Sequence, residues 1–132
     1  MWVHRFAVWL GLWMCCSIIA CVGDHNVQVE LDAFSGRPNP KWTLSEDKAS
    51  RLLERIGSLP EAKDMPHPPA LGFRGFVLRS GRRSIRVFEG RVLIEGAGLA
   101  KVYRDNAGIQ EELAADARER GFAAVVDDPS HR

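Results

Sequence analysis

The chain has 132 residues, 18 Lys and Arg against 17 Asp and Glu for a net charge of +1, and three cysteines. That length is one domain's worth, and a charge so near zero gives no electrostatic case for nucleic-acid binding. All three cysteines fall between Cys15 and Cys21, which excludes a disulfide framework through the body of the chain.

Met1 to Arg5 form a short basic head, and Phe6 to Ala20 follow without a charge. A basic head with an apolar core of this length is the plan of a secretory signal. Asp24 and His25 cut the run short of the roughly 20 apolar residues of a spanning helix; an uncleaved anchor from Phe6 to Gly23 is the alternative. Trp2, Trp9 and Trp13, three of the four tryptophans, lie in this segment, which fits a piece absent from the mature protein.

Ile18-Ile19-Ala20-Cys21 resembles the lipobox of bacterial lipoproteins: an aliphatic residue, a tolerant position, a small residue, then cysteine. The resemblance covers these four residues and the signal ahead of them. It implies that the Cys21 thiol takes a diacylglycerol by thioether linkage, that cleavage falls before it, and that the freed amine is often acylated too. Trp13 and Met14 are bulky where the pattern wants a small residue, so Cys15 and Cys16 read as apolar filler. The bland alternative for Cys21 is a free thiol behind an ordinary signal. A zinc site is not expected, because Asp24 and His25 cannot complete one with three cysteines in an apolar core. Two or more acyl chains hold stably where one holds marginally, so the resemblance implies a domain kept on a membrane without a spanning helix. It implies the bacterial cell envelope, at the outer membrane or the periplasm-facing inner membrane if the cell is Gram-negative. Val22, rather than an inner-membrane retention aspartate, leans towards the outer membrane.

The expected organisation is a signal peptide over 1–20, a lipidated tether over 21–26, one domain over 27–128 and a tail over 129–132. Losing residues 1–20 removes Arg5 alone among the charged residues, so the mature chain is neutral. With no partner for Cys21, its core must stand on apolar burial, which is feasible near 100 residues.

Val27, Val29 and Leu31 alternate with Gln28, Glu30 and Asp32 and predict a strand over 27–34. Ser35-Gly36-Arg37-Pro38-Asn39-Pro40 cannot stay in a ladder, since two prolines lack amide donors. A helix follows, begun by a Thr43–Glu46 capping box or by Ser45. Ala49, Leu52, Leu53 and Ile56 form its stripe, and Gly57 with Pro60 ends it. Pro60 to Leu71 reads as a surface loop. Phe73–Leu78 predicts a strand, and Ile85–Phe88 with Arg91–Glu95 a hairpin about Glu89-Gly90. That register sets Val87 opposite Val92 and Ile85 opposite Ile94. Gly96-Ala97-Gly98 reads as a loop. Ile109, Leu113, Ala114 and Ala117 predict a second helix, capped by Asp105 or Asn106 and stopped near Gly121, and Phe122–Val126 a last short strand. The fold class is α+β: a small antiparallel sheet of four to five strands with two helices, in the order β-α-β-β-β-α with an optional final β.

Phe34 to Trp42, FSGRPNPKW, resembles a stretch of small bacterial domains in which a strand leads through SGRPNP into a helix; the resemblance brings no activity with it. Two readings stand. A rigid loop presents Arg37, Asn39 and Trp42 to a ligand, or Asn39 bonds backbone and Trp42 packs into the core. A second candidate is basic: Arg74, Arg79, Arg82, Arg83, Arg86 and Arg91 face only one acid, Glu89, across the three-stranded region. Arg83, Arg86 and Arg91 are its candidate contacts for phosphate or carboxylate, which guanidinium suits. The competing reading pairs these arginines with the acidic C-terminal segment in solvated bridges of small worth.

Enzyme signatures are thin. His25, His67 and His131 lie in the tether, the proline loop and the tail, without spaced partners for a metal. No G-x-S-x-G elbow, P-loop or dinucleotide fingerprint is present, so no cofactor is expected. Glu30 and Asp32 share a strand face and, with Glu89, give the one acid–base option. The sequence therefore leads to a membrane-anchored, non-catalytic module that binds an anionic envelope component or a protein partner. The alternatives are a small envelope hydrolase using those carboxylates, or a secreted enzyme inhibitor.

Overall fold

A computed structural model describes residues 26–128. The signal, Cys21 and the tail lie outside the described residues, as does the tether apart from Asn26. The elements are β1 (Val27–Leu31), β2 (Lys41–Thr43), α1 (Glu46–Gly57), β3 (Phe76–Ser80), β4 (Arg83–Phe88), β5 (Arg91–Gly96), β6 (Leu99–Arg104), α2 (Ile109–Glu119) and α3 (Ala123–Val126). The class is α+β. Among the described residues the antiparallel sheet has six strands in the order β2-β1-β3-β4-β5-β6.

Strand alternation decides the layers. Val27, Val29 and Leu31 of β1 point to one face and meet Trp42, Leu78 and Phe76 across the ladders, as the period of two requires. Ile85, Val87 and Val92 continue that face, and the pairs Val87–Val92 and Ile85–Ile94 have the expected register. Helix α1 lays Ala49, Leu52 and Ile56 on it, and α2 adds Ile109, Leu113, Ala114 and Ala117. Each fully buried Leu, Ile or Phe contributes roughly 1.5–3 kcal/mol relative to exposure.

The element order departs from expectation in three places. Lys41–Thr43 is a strand on the outer side of β1, so Thr43 is extended rather than a helix cap; Ser45 takes the cap position without a side-chain bond. Its backbone pairing with β1 outweighs the local capping signal. Leu99–Arg104 is a strand paired along the whole of β5, so Gly96 ends β5 and Ala97-Gly98 form a hairpin turn. Phe122 to Val126 is not a strand: Ala123–Val126 form a short helix whose Val125 and Val126 pack on the core. The third strand also starts later than expected, at Phe76.

Helix α2 shows how a cap can act from a distance. Gly108 holds the cap position in a left-handed conformation with φ 69°, and brings no side chain. Asp105 instead reaches over, accepting from the Ile109 amide at 2.9 Å and the Gln110 amide at 2.7 Å. Two orphan donors of the first turn are thereby satisfied.

Gly75 lies where two chain segments touch. Its φ is +101°, and a Cβ placed there would sit 2.3 Å from the Val87 carbonyl oxygen. Gly36, with φ +80°, has nothing within 4 Å of the same position. Gly75→Ala should therefore lose roughly 2–4 kcal/mol of stability, against about 1 kcal/mol for Gly36→Ala. Urea denaturation of the two variants measures the gap, and equal losses would remove the close-approach account.

Candidate functional site

The strands run so that the sheet has two distinct ends. At one end lie Leu31, Phe76, the Glu89-Gly90 turn and the 35–40 loop; at the other lie Val27, the turn at Gly81-Arg82 and the turn at Ala97-Gly98.

The first end is a polar lock. The Asn39 Oδ1 accepts from the Ala33 and Phe34 amides at 3.2 and 3.0 Å, and its Nδ2 donates to Glu30 and Asp32 at 3.1 and 3.3 Å. Asp32 Oδ1 accepts from Arg74 Nη2 at 2.7 Å, and its Oδ2 from Arg86 Nη1 at 2.9 Å. Burial pushes the Asp32 carboxyl up, but the bonds and charges of Arg74 and Arg86 outweigh it and hold the group below its ordinary value. Glu30 Oε2 makes no hydrogen bond among the described residues, yet lies 3.4 Å from Lys41 Nζ and 3.8 Å from Arg79 Nη2. The shared strand face of Glu30 and Asp32 is thus bound up in arginines and an amide. The Asp32 carboxyl, held ionised by its two arginines, is unsuited to donate a proton.

The arginine inventory needs correcting accordingly. Glu89 is not the only acid facing these strands, because Asp32, just past β1, serves Arg74 and Arg86, and Glu30 of β1 lies beside Arg79. Nor do the C-terminal acids serve them. Glu112 pairs with Arg55, Asp116 with Lys48 and Arg120, and Glu111 and Asp127 with Arg118.

The candidate residues scatter. Arg37 is exposed at the lock end with its guanidinium 3.7 Å above the Phe34 ring. Asn39 is half-buried in the lock. Trp42 is 8% exposed on the helix-bearing face and donates its indole N–H to Asp116 at 2.6 Å. These three do not form one ligand-facing loop. Arg86 and Arg91 lie on the face away from the helices, both half-buried. Arg91 donates from Nη1 to the Gly90 carbonyl at 3.2 Å, and its buried Nε has no hydrogen-bond partner among the described residues. Arg83 is exposed on the opposite face, so the three arginines do not make one patch.

Arg83 belongs instead to a groove at the second end. A cavity of about 480 Å³ opens where α1 stops at Gly57, between that helix end and the β4–β6 strands. Ile94, Leu99 and Tyr103 form its apolar floor, and Arg82, Arg83 and Lys101 its rim. Leu99 is 71% exposed. A smaller annex of about 120 Å³ continues beneath α1 past Leu53, Ile56 and Ile85, sharing Arg83 and Ile94 with the groove. Gly96 makes the rim possible, since a Cβ there would press on the Arg83 side chain at 3.3 Å. Among the described residues neither Arg82 nor Arg83 makes an ion pair, whereas Lys101 bonds Glu61 at 3.0 Å and is held above its ordinary value by it.

An apolar trough edged by guanidinium groups suits an anion that carries hydrocarbon. The sequence reading named Arg82 and Arg83 but missed Leu99, Lys101 and Tyr103. Their spacing of two was the available signal, and it went unread because β6 itself did.

Asp116, 5% exposed, is the one buried charged residue among those described. Burial pushes its carboxyl up, but the bonds from Lys48 and Trp42 and the charges of Lys48 and Arg120 leave it below its ordinary value. A carboxylate lowered on folding adds stability above its unfolded pKa of about 3.9 and loses it as pH falls through the folded value. Asp32 and Asp116 should therefore steepen acid unfolding below about pH 4. The Asp116→Asn variant should be less stable at pH 7, by roughly 3 kcal/mol for a broken buried pair, and show a shallower stability loss between pH 5 and 2. Urea midpoints across that range test it; an unchanged acid limb would refute it. No protein family, curated protein or solved structure matches this chain, so the groove stands on its own geometry.

Proposed function

We propose that the chain is a lipid-anchored, non-catalytic binding module of the bacterial envelope, and that the groove takes an anionic amphiphile. The observation that carries the reading is the pairing of an apolar floor, Ile94 and Leu99, with Arg82 and Arg83 that no acid of the described domain neutralises. Phosphate or carboxylate oxygens would bond the guanidinium forks, while hydrocarbon lies over Leu99 and towards the Leu53–Ile85 annex. The anchor half of the reading rests on the Ile18–Cys21 segment. Among the described residues no helix is long and apolar enough to cross a membrane. The hydrolase alternative is weakened by Asp32, whose two arginine partners keep it from acting as an acid.

Two measurements test the halves separately. Cys21→Ser should move the protein out of the membrane fraction and abolish incorporation of labelled fatty acid; continued labelling would defeat the anchor. Arg82→Glu with Arg83→Glu should weaken dodecyl phosphate binding, followed by calorimetry, about tenfold or more, since each 1.4 kcal/mol of lost charge-assisted bonding is a factor of ten. Arg37→Glu, exposed at the opposite end of the sheet, should leave that affinity unchanged, and equal losses at both sites would count against the groove.

A further inference from the structure

We infer that the partner of the groove is the anionic surface of the membrane that carries the protein, on which the domain lies with its Val27 end down. This deepens the proposed function and rests on its anchor reading. Three features meet at that end of the sheet. The chain enters the domain at Val27, whose ladder partner is Ser80, the residue that leads into the Gly81-Arg82 turn. The Ala97-Gly98 turn and Leu99 lie at the same end, two strands further on. At about 4.8 Å per strand, β1 and β4 are only about 10 Å apart.

The length of chain back to Cys21 then restricts the geometry. Six Cα–Cα steps separate Cys21 from Val27, at most about 22 Å when fully extended. A lipid on Cys21 therefore keeps the Val27 end within about 22 Å of the headgroups, and the 35–40 loop points away. Within that reach Arg82 and Arg83 are exposed, and Leu99 offers an aliphatic side chain that nothing in the described domain covers. Basic residues near an anionic leaflet are attracted within a Debye length, and an apolar side chain beside them reaches the headgroup boundary. Tethering turns this weak contact into an intramolecular one at high effective concentration.

Charges of the opposite sign limit the contact to one side. Glu46 and Asp47 open α1 at the same end, but beyond β2, at the far edge of the sheet from β6. Glu95 sits on the face away from the groove, opposite Ser84 and Ala100. Glu61 occupies Lys101. The domain is accordingly tipped with its β4–β6 side towards the lipid and the start of α1 raised.

The test uses the lipidated mature chain, residues 21–132, reconstituted on vesicles of phosphatidylglycerol with phosphatidylethanolamine, or of phosphatidylcholine alone. Flotation reads the anchor and should occur with both. Leu99→Trp places an indole on the groove, and Trp42, buried in the core, gives a constant background. Headgroup-region doxyl lipids should quench the new indole at least threefold more strongly in the anionic vesicles, and 1 M salt should erase the difference. Arg82→Gln with Arg83→Gln should erase it as well, with flotation retained and far-UV circular dichroism unchanged. Equal quenching in both vesicle types, high or low, overturns the docking while leaving the anchor intact. Failure to float with either removes the anchor and the docking with it.

Discussion

The buried carboxylate of Asp116 holds the two layers of this domain in place. An ionised group at 5% exposure is tolerable only when its bonds are made. Here Trp42 supplies an indole N–H from β2, Lys48 an ammonium from α1 at 2.9 Å, and Arg120 a guanidinium just past α2 at 3.4 Å. The Trp42 ring is itself stacked on Phe122 at 6.3 Å between centroids, with Arg120 over its face. One carboxylate thus fastens both long helices to the β2 edge of the sheet. Removing any partner would leave the charge uncompensated, so the attachment point is not free to slide.

That attachment explains why a groove exists. Helix α1 has 12 residues and is about 18 Å long, at 1.5 Å per residue. Six strands at about 4.8 Å span about 24 Å from the first axis to the last. A helix pinned above β2 and running across the strands therefore ends one strand or more before β6. It ends at Gly57, beside Ile94 and Gly96 of β5, and Leu99 is left without a cover. The groove is the portion of the core face that the helix is too short to reach. Its floor is apolar for the same reason the rest of that face is, and its rim is basic because the β3–β4 turn delivers Arg82 and Arg83 there.

How much of this could be read from the sequence depends on whether local pattern or remote contact decided each element. The β4–β5 register follows from Glu89-Gly90, whose φ values of 45° and 68° both suit the tight turn its residues suggest. The α1 stripe likewise follows from spacing. Lys41-Trp42-Thr43 is too short to announce itself and becomes a strand only because β1 offers an edge beside it. In β6 both faces carry apolar residues, Leu99 and Tyr103 on one and Ala100 and Val102 on the other, so no clean alternation appears. Charge pairing was the least legible. The one acid that occupies both Arg74 and Arg86 is Asp32, just past β1 and more than 40 residues away in the chain, and spacing cannot say which arginines are already engaged. Asn39 was legible as a backbone-bonding residue within a proline loop; its second role, bridging Glu30 to Asp32, required the sheet.

The same distribution separates the arginines by the work they can do. A guanidinium already bonded to a part-buried carboxylate cannot turn to a ligand without stranding that charge, at a cost of several kcal/mol. Arg74 and Arg86 are therefore committed to Asp32 and hold the segment before β3, and β4, to the chain just past β1. Arg82 and Arg83 carry no such obligation, and Gly96 leaves room for the Arg83 methylenes to lie flat on the sheet while the head stays in water. Ala97, at φ 51°, accepts a left-handed conformation at the lip of the same groove, where glycine would have been unstrained. Retaining a methyl there at a cost of about 1 kcal/mol adds apolar surface to the trough at the point where Leu99 stands out. Uncovered hydrocarbon and two arginines without ion pairs coincide at the Val27 end of the sheet, and at the opposite end Asn39, Asp32, Arg74 and Arg86 are bonded to one another.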